Sequence, residues 1–196
     1  GKTYYSIDFE EKEYTSATVN RAKICISMLA FDSNGQKVKC TELAYDFENG
    51  AVDKNNDNII ESDECDYSVS SSTLTVKAPE GVGEDLIATI KSDGSIDGMK
   101  ELKGNLYAFA EAVADNKELF AVACIITVDG TVCTYESRTY DSNANLQEDA
   151  EVVKGTVSGN TLTLGEGEET MTGSLSDESI IFTDPEDSSQ QIFKRM

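Results

Sequence analysis

The sequence predicts an all-β chain: antiparallel up-and-down barrels in two tandem related halves. Three observations carry this. Apolar and polar residues alternate with a period of two along most of the chain. Turn dipeptides such as Asn34-Gly35, Asp129-Gly130 and Gly159-Asn160 separate the alternating runs. The same succession of features also occurs twice. One larger barrel, or a sandwich built from both halves, is the alternative architecture.

The repeat is legible residue by residue. Y-S-V-S-S-S-T-L-T-V at 67–76 aligns without a gap on G-T-V-S-G-N-T-L-T-L at 155–164. Upstream, F-D-S-N-G (31–35) followed by A-Y-D (44–46) parallels T-V-D-G (127–130) followed by T-Y-D (139–141). Downstream, S-D-G-S-I (92–96) parallels S-D-E-S-I (176–180). This division gives an N-terminal half, 1–98, and a C-terminal half, 99–196.

The first hairpin turns at Asn34-Gly35. Ile24, Ile26 and Met28 fall on one face of its first strand, and Leu29 and Phe31 on the other. A bulge near Met28-Leu29 would bring them together. Leu106–Ala114 is Ala-rich and fits a helical stripe through Leu106, Phe109, Ala110 and Val113. Its place in the repeat favours a strand, with Tyr107, Phe109 and Val113 on one face.

The clearest hairpin joins 120–128 to 131–140. Asp129-Gly130 predicts a tight type I′ turn with Val128 opposite Thr131, Ile126 opposite Cys133 and Cys124 opposite Tyr135. Val122, Cys124, Ile126, Val128, Cys133 and Tyr135 then form an apolar face. Ala121, Ala123, Thr134, Glu136 and Arg138 form the mostly polar one, as a half-buried sheet requires. Gly159-Asn160 sets Val157 opposite Leu162. A turn at Asp177-Glu178 sets Leu175 opposite Ile180, with Phe182 on the same face.

The C-terminal half carries L-K-G-N-L-Y (102–107), A-D-N-K-E-L (114–119), D-G-T (129–131), the run at 155–164, T-G-S-L-S-D-E-S-I-I-F (172–182) and I-F-K-R-M (192–196). In these segments it resembles the small lipocalin-like domains of exported bacterial proteins, many of them lipoproteins of gut bacteria. Where that family has an aromatic residue, usually Trp, soon after the leading Gly, this chain has Leu106-Tyr107. The resemblance implies an up-and-down antiparallel barrel. It implies little about function, because fold does not fix function.

The sharpest chemical motif is D-K-N-N-D-N-I-I-E-S-D-E at 53–64. It follows the twelve-position calcium loop D-x-[DN]-x-[DN]-G-x5-E. Asp53, Asn55 and Asp57 take positions 1, 3 and 5. Ile59 offers its carbonyl, Glu61 acts through water, and Glu64 supplies the bidentate carboxylate. Asn58 replaces the usual Gly, and a strand pattern replaces the helix that would follow. A solvated acidic hairpin loop is the competing reading.

Composition excludes several functions. The 196 residues hold 16 basic and 37 acidic side chains, a net charge of −21, which opposes nucleic acid and anionic membrane surfaces. With no His there is no Ser-His-Asp triad and no His-ligated zinc. With no Trp a stacking sugar cleft is disfavoured, though Tyr107, Tyr135 and Tyr140 could stand in. A carboxylate-dependent hydrolase would need a pair that 37 acids cannot single out. The five cysteines (Cys25, Cys40, Cys65, Cys124 and Cys133) are an odd set, so one at least has no partner within the chain. They read as small buried hydrophobes, not as reactive thiols.

No apolar run reaches the length of a transmembrane helix. The chain opens on Gly1-Lys2 without an apolar leader, and its Ser/Thr/Asp/Asn-rich character predicts an exported protein, extracellular or lipid-anchored at the cell envelope. The expectation is a non-catalytic module that binds a small apolar ligand or a protein partner. A structural or adhesive surface protein is the alternative.

Overall fold

The computed structural model describes residues 1–13, 20–48, 51–52, 59–80, 83–115, 118–140, 146–147, 151–167 and 170–196. Within that set, the side chains of 9–13, 20–23, 46–48, 51–52, 59, 112–115 and 118–120 lie outside the description. Among the described residues there is no helix, and so none long and apolar enough to cross a membrane.

The first eight strands are β1 Thr3–Glu13, β2 Asn20–Phe31, β3 Lys37–Glu48, β4 Ala51–Val52, β5 Ile59–Ser70, β6 Thr73–Val76, β7 Leu86–Thr89 and β8 Lys100–Leu102. They form one antiparallel sheet in the order β7-β6-β5-β3-β2-β1-β8, with β4 beside β3. The next eight are β9 Asn105–Asp115, β10 Glu118–Asp129, β11 Val132–Tyr140, β12 Glu151–Ser158, β13 Thr161–Leu164, β14 Met171–Leu175, β15 Ser179–Thr183 and β16 Gln190–Arg195. They close into a barrel in which β9 pairs with both β10 and β16.

The two sheets follow one path. β1–β2–β3–β5–β6–β7 runs as β9–β10–β11–β12–β13–β14 does, and β8 lies beside β1 as β16 lies beside β9. The first sheet has no counterpart of β15. There the chain makes a single bridge, Ile90 to Ile96, and Ile96 is buried as Ile180 of β15 is. The first sheet therefore curls without closing. The border between the sheets falls at Lys103-Gly104, beyond the division at 98/99, because β8 pairs back onto β1.

Three apolar cores result. The barrel interior holds Cys124, Ile126, Val128, Cys133, Leu162, Ile180 and Phe193. The inner face of the curled sheet holds Tyr4, Leu29, Val38, Cys65, Leu74 and Val76. The third core lies between the two bodies. Tyr5, Ile7, Ile24, Ile26 and Leu43 from the curled sheet press on Ala108, Ala110, Ala121, Ala123 and Ile125 of the barrel wall. Large side chains on one sheet meet small ones on the other, which lets two sheets pack at close range.

The structure corrects three expectations. The register of β2 with β1 and β3 runs unbroken, so there is no bulge at Met28-Leu29. Both faces of β2 are buried instead: Ile24, Ile26 and Met28 in the seam, Leu29 on the inner face. The face carrying Ala121, Ala123 and Glu136 is likewise covered rather than solvated. Third, Asp129 pairs with Val132, so the turn is Gly130-Thr131, and Val128 lies opposite Cys133, Ile126 opposite Tyr135 and Cys124 opposite Ser137. Gly130 has φ 61° and Thr131 does not share the positive φ. That is a type II′ pattern, with Gly at the first central position where a side chain would be strained. The inner and outer faces of β10 and β11 come out as expected, because each partner moves by two residues.

Leu106–Ala114 forms part of strand β9. Its helix-like composition has a physical cause. Tyr107 and Phe109 point into the barrel while Leu106, Ala108 and Ala110 face the seam, so apolar residues fall on both faces. The hairpins at Val157–Leu162 and Leu175–Ile180 have the expected register.

Candidate functional site

The two ends of the barrel differ. At one end β10–β11, β12–β13 and β14–β15 are joined by tight turns. This end is sealed: the Tyr107 hydroxyl donates to the Ser176 carbonyl at 3.1 Å, and Arg195 donates to Asn105 Oδ1 at 2.8 Å and to the Asp177 carbonyl at 3.2 Å. At the other end the connections 141–150, 165–170 and 184–189 are longer. Binding sites in such barrels sit where loops replace tight turns.

A cavity of about 510 Å³ opens there. Its floor is apolar, made by Tyr135, Val153, Leu164, Phe182 and Phe193. Phe193 organises the floor. Its ring centroid lies 5.6 Å from Phe109, 5.8 Å from Phe182 and 6.4 Å from Tyr135, in tilted and edge-on contacts. Below it the barrel is filled. Glu151, Glu166 and Gln191 stand at the rim, and among the described residues no basic side chain lines the cavity. A second hollow of about 600 Å³ adjoins it, sharing Met171, Phe182 and Gln191.

Gly173 shapes this floor. It pairs with Phe182, whose ring lies over the glycine where a side chain would stand, at 2.9 Å from an ideal Cβ. Deeper in, the Cys124 thiol and the Tyr135 hydroxyl lie 3.3 Å apart. Burial pushes the Cys124 thiol up to about 11. Burial, and then Cys124, push the Tyr135 phenol up as well. Burial also raises the Glu111 carboxyl, opposite Val122 on the inner face. Every one of these groups is held in its neutral form more strongly than in water, so the site opposes a buried anion.

Of the residues in the calcium motif, Asp53, Asn55 and Asp57 lie outside the described residues. Ile59, Glu61 and Glu64 lie in β5, paired with β3. Strand geometry sends Glu61 to the inner face of the curled sheet, with Cys65, and Glu64 to the outer face, with Ile60. The structure does not bring these two carboxylates together. Among the described residues no group of three or more His, Cys, Asp or Glu is gathered to hold a metal ion.

The tyrosines divide. Tyr135 lines the cavity, Tyr107 seals the opposite end, and Tyr140 is buried in the seam. Arg138 is also a seam residue, donating to the Ile7 carbonyl and to Glu136, both at 3.3 Å. Sequence reasoning did not find the cavity, because its lining comes from six strands and one connection. The one available signal was the unequal length of the connections at the two ends. No known protein family, curated protein or solved structure matches the chain.

Proposed function

We propose that this is a lipocalin-like, non-catalytic binding module of an exported protein, taking a small apolar ligand with a cationic head at the open end of the barrel. The observation that carries the reading is the cavity of about 510 Å³ over the Phe182–Phe193 floor, within the usual range for small-molecule sites. The curled sheet is a duplicated barrel that has lost its closing strand and now buttresses the wall formed by β9 and β10. Its matching strand order and the repeated sequence support this.

The charge of the mouth supports the cationic head. Among the described residues this end carries Glu151 and Glu166, and the β15–β16 connection reads D-P-E-D at 184–187. Among the described residues, the connections at this end hold no basic residue. A low-dielectric mouth lined by one sign of charge concentrates counter-ions. Aromatic faces beneath it attract a cation further.

The test is calorimetric titration with octylammonium, 1-octanol and octanoate, three ligands with one tail and different heads. The expected order of affinity is octylammonium, then octanol, then octanoate. Glu151→Gln with Glu166→Gln should bring octylammonium down to octanol, while Glu61→Gln with Glu80→Gln, away from the mouth, should not. Val153→Trp should abolish binding of all three. Equal affinity for the three heads would remove the charge argument, and no binding by any would remove the ligand site.

A further inference from the structure

Each of three cysteines has an oxygen partner. Cys25 donates to Glu42 Oε1 at 3.6 Å, Cys133 donates to the Thr163 carbonyl at 3.9 Å, and Cys124 meets the Tyr135 hydroxyl. Cys40 and Cys65 partner each other. Cys40 lies on β3 opposite Asp63, and Cys65 lies on β5 opposite Val38. The two are therefore diagonal neighbours on the inner face of the curled sheet, packed in one apolar cluster, with their thiols in hydrogen-bonding contact. Diagonal neighbours sit about 7–8 Å apart at Cα with Cβ atoms closer. That lies just beyond disulfide reach, about 7 Å. Because both side chains share one face and their thiols interact, bond formation needs side-chain rotation and a strand shift of about 1 Å.

We propose that Cys40 and Cys65 are a modification site: in an oxidising medium they close into a disulfide that staples β3 to β5, leaving the other three cysteines as thiols. One pair and three thiols account for the odd count of five. The staple matters where it stands. The curled sheet lacks a strand to close it, and β5 is the strand through which β6 and β7 hang on the rest. A cross-link between β3 and β5 tethers that wing.

The chemistry balances with a small-molecule disulfide as oxidant. Cys40 is the half-buried member and Cys65 the buried one. The Cys40 thiol loses its proton to water and attacks one sulfur of the reagent, which releases one reagent thiolate. Cys65 then loses its proton and attacks the Cys40 sulfur of the mixed disulfide, which releases the second. Two protein thiols are oxidised and one reagent disulfide is reduced to two thiols. Burial, and then the neighbouring Cys65 thiol, push the Cys40 thiol up to about 12. Closure in the folded protein is therefore slow at neutral pH and speeds up about tenfold per pH unit, in step with the thiolate fraction.

The experiment incubates the intact chain with hydroxyethyl disulfide between pH 7 and pH 9, then counts thiols in denaturant and maps peptides without reduction. The expected result is a fall from five thiols to three, a product about 2 Da lighter, and a cross-linked peptide pair holding Cys40 and Cys65. Cys40→Ser and Cys65→Ser should each block it, Cys124→Ser should not, and the oxidised form should melt several degrees higher. A stable reagent adduct on Cys40 that does not close, a bridge to another cysteine, or an unchanged thiol count at pH 9 would overturn the proposal.

Discussion

Lys100 Nζ lies 2.8 and 2.7 Å from the two carboxylate oxygens of Glu136, and this ion pair joins the two sheets. Glu136 belongs to the barrel wall and is 5% exposed; Lys100 belongs to β8 of the curled sheet. A buried carboxylate needs partners. Lys100 supplies both oxygens with a charged donor, and Arg138 adds a longer contact to one of them. The pair also fixes which way the sheets face each other, since only one placement seats the carboxylate.

Removing the lysine should therefore cost more than removing both charges. Lys100→Met leaves Glu136 in the seam with Arg138, and a loss of about 1–3 kcal/mol is expected. The double change Lys100→Met with Glu136→Met should lose less than the lysine change alone. Urea unfolding of the three proteins measures this. A double variant weaker than Lys100→Met alone would show the pair to be worth more than its desolvation.

The packing of the seam yields a second expectation. Ile26 is fully buried against the Ala-rich wall, and Ile26→Ala should cost about 2–5 kcal/mol. Ala123 is fully buried on the opposite side. Ala123→Leu should cost about 1–3 kcal/mol by forcing the sheets apart, although it adds apolar surface. Were Ala123→Leu neutral in a melt, the close approach of the two sheets at that point would be wrong.

That same seam marks where the sequence stopped being informative. Period-two alternation assigned the inner faces correctly: Cys124, Ile126 and Val128 point into the barrel, and Leu162, Ile180 and Phe182 join them. Alternation cannot say what covers the second face. Ala121 and Ala123 are as compatible with water as with another sheet, and only the large residues opposite them, Ile24 and Ile26, decide it. The same limit made β2 look like a strand with a fault and β9 like a helix. The turn at Gly130-Thr131 was misplaced by one residue because Asp-Gly serves two turn types, and the strands beyond it accept either register on the same faces. The cavity was illegible because it depends on how far apart strand ends are held.

Glu111 gives a pH-dependent stability with a definite sign. Burial raises its carboxyl in the folded chain. The unfolded chain then ionises first as pH rises, so the fold loses stability between the ordinary glutamate value of 4.5 and the higher folded value, and the loss is complete above both. Glu111→Gln should stabilise the protein at pH 7 and leave it unchanged below pH 4.5. Melting curves at the two ends of that range suffice. A variant less stable than its parent at pH 7 would mean that the charged form has a partner that offsets its burial.

The calcium reading of 53–64 is sharpened by the strand that runs through its second half. Glu61 and Glu64 lie on opposite faces of β5, so one ion cannot take both. A calcium-dependent rise in Tm over EDTA should therefore survive at least one of Glu61→Gln and Glu64→Gln. Loss of the rise in both variants would require residues 59–64 to leave the β3 ladder on binding. No rise in the parent would remove the calcium site.

Two glycines of the barrel separate stability from binding. An added Cβ at Gly155 would run into the Thr163 carbonyl, and lie 2.9 Å from Cys133 Sγ. The first of these is backbone in a paired strand and has no room to give. At Gly173 the nearest atoms all belong to the Phe182 ring, at 2.9–3.1 Å, and a ring can turn about its side-chain bonds. The space available to it is the cavity it lines. Gly155→Ala should therefore destabilise the barrel by about 1–3 kcal/mol. Gly173→Ala should cost less than that in a melt, while weakening octylammonium binding about tenfold by tilting Phe182 into the site. If Gly155→Ala melts with its parent, the β12–β13 ladder is looser than its register implies. If Gly173→Ala binds as its parent does, Phe182 is not the floor on which the ligand rests.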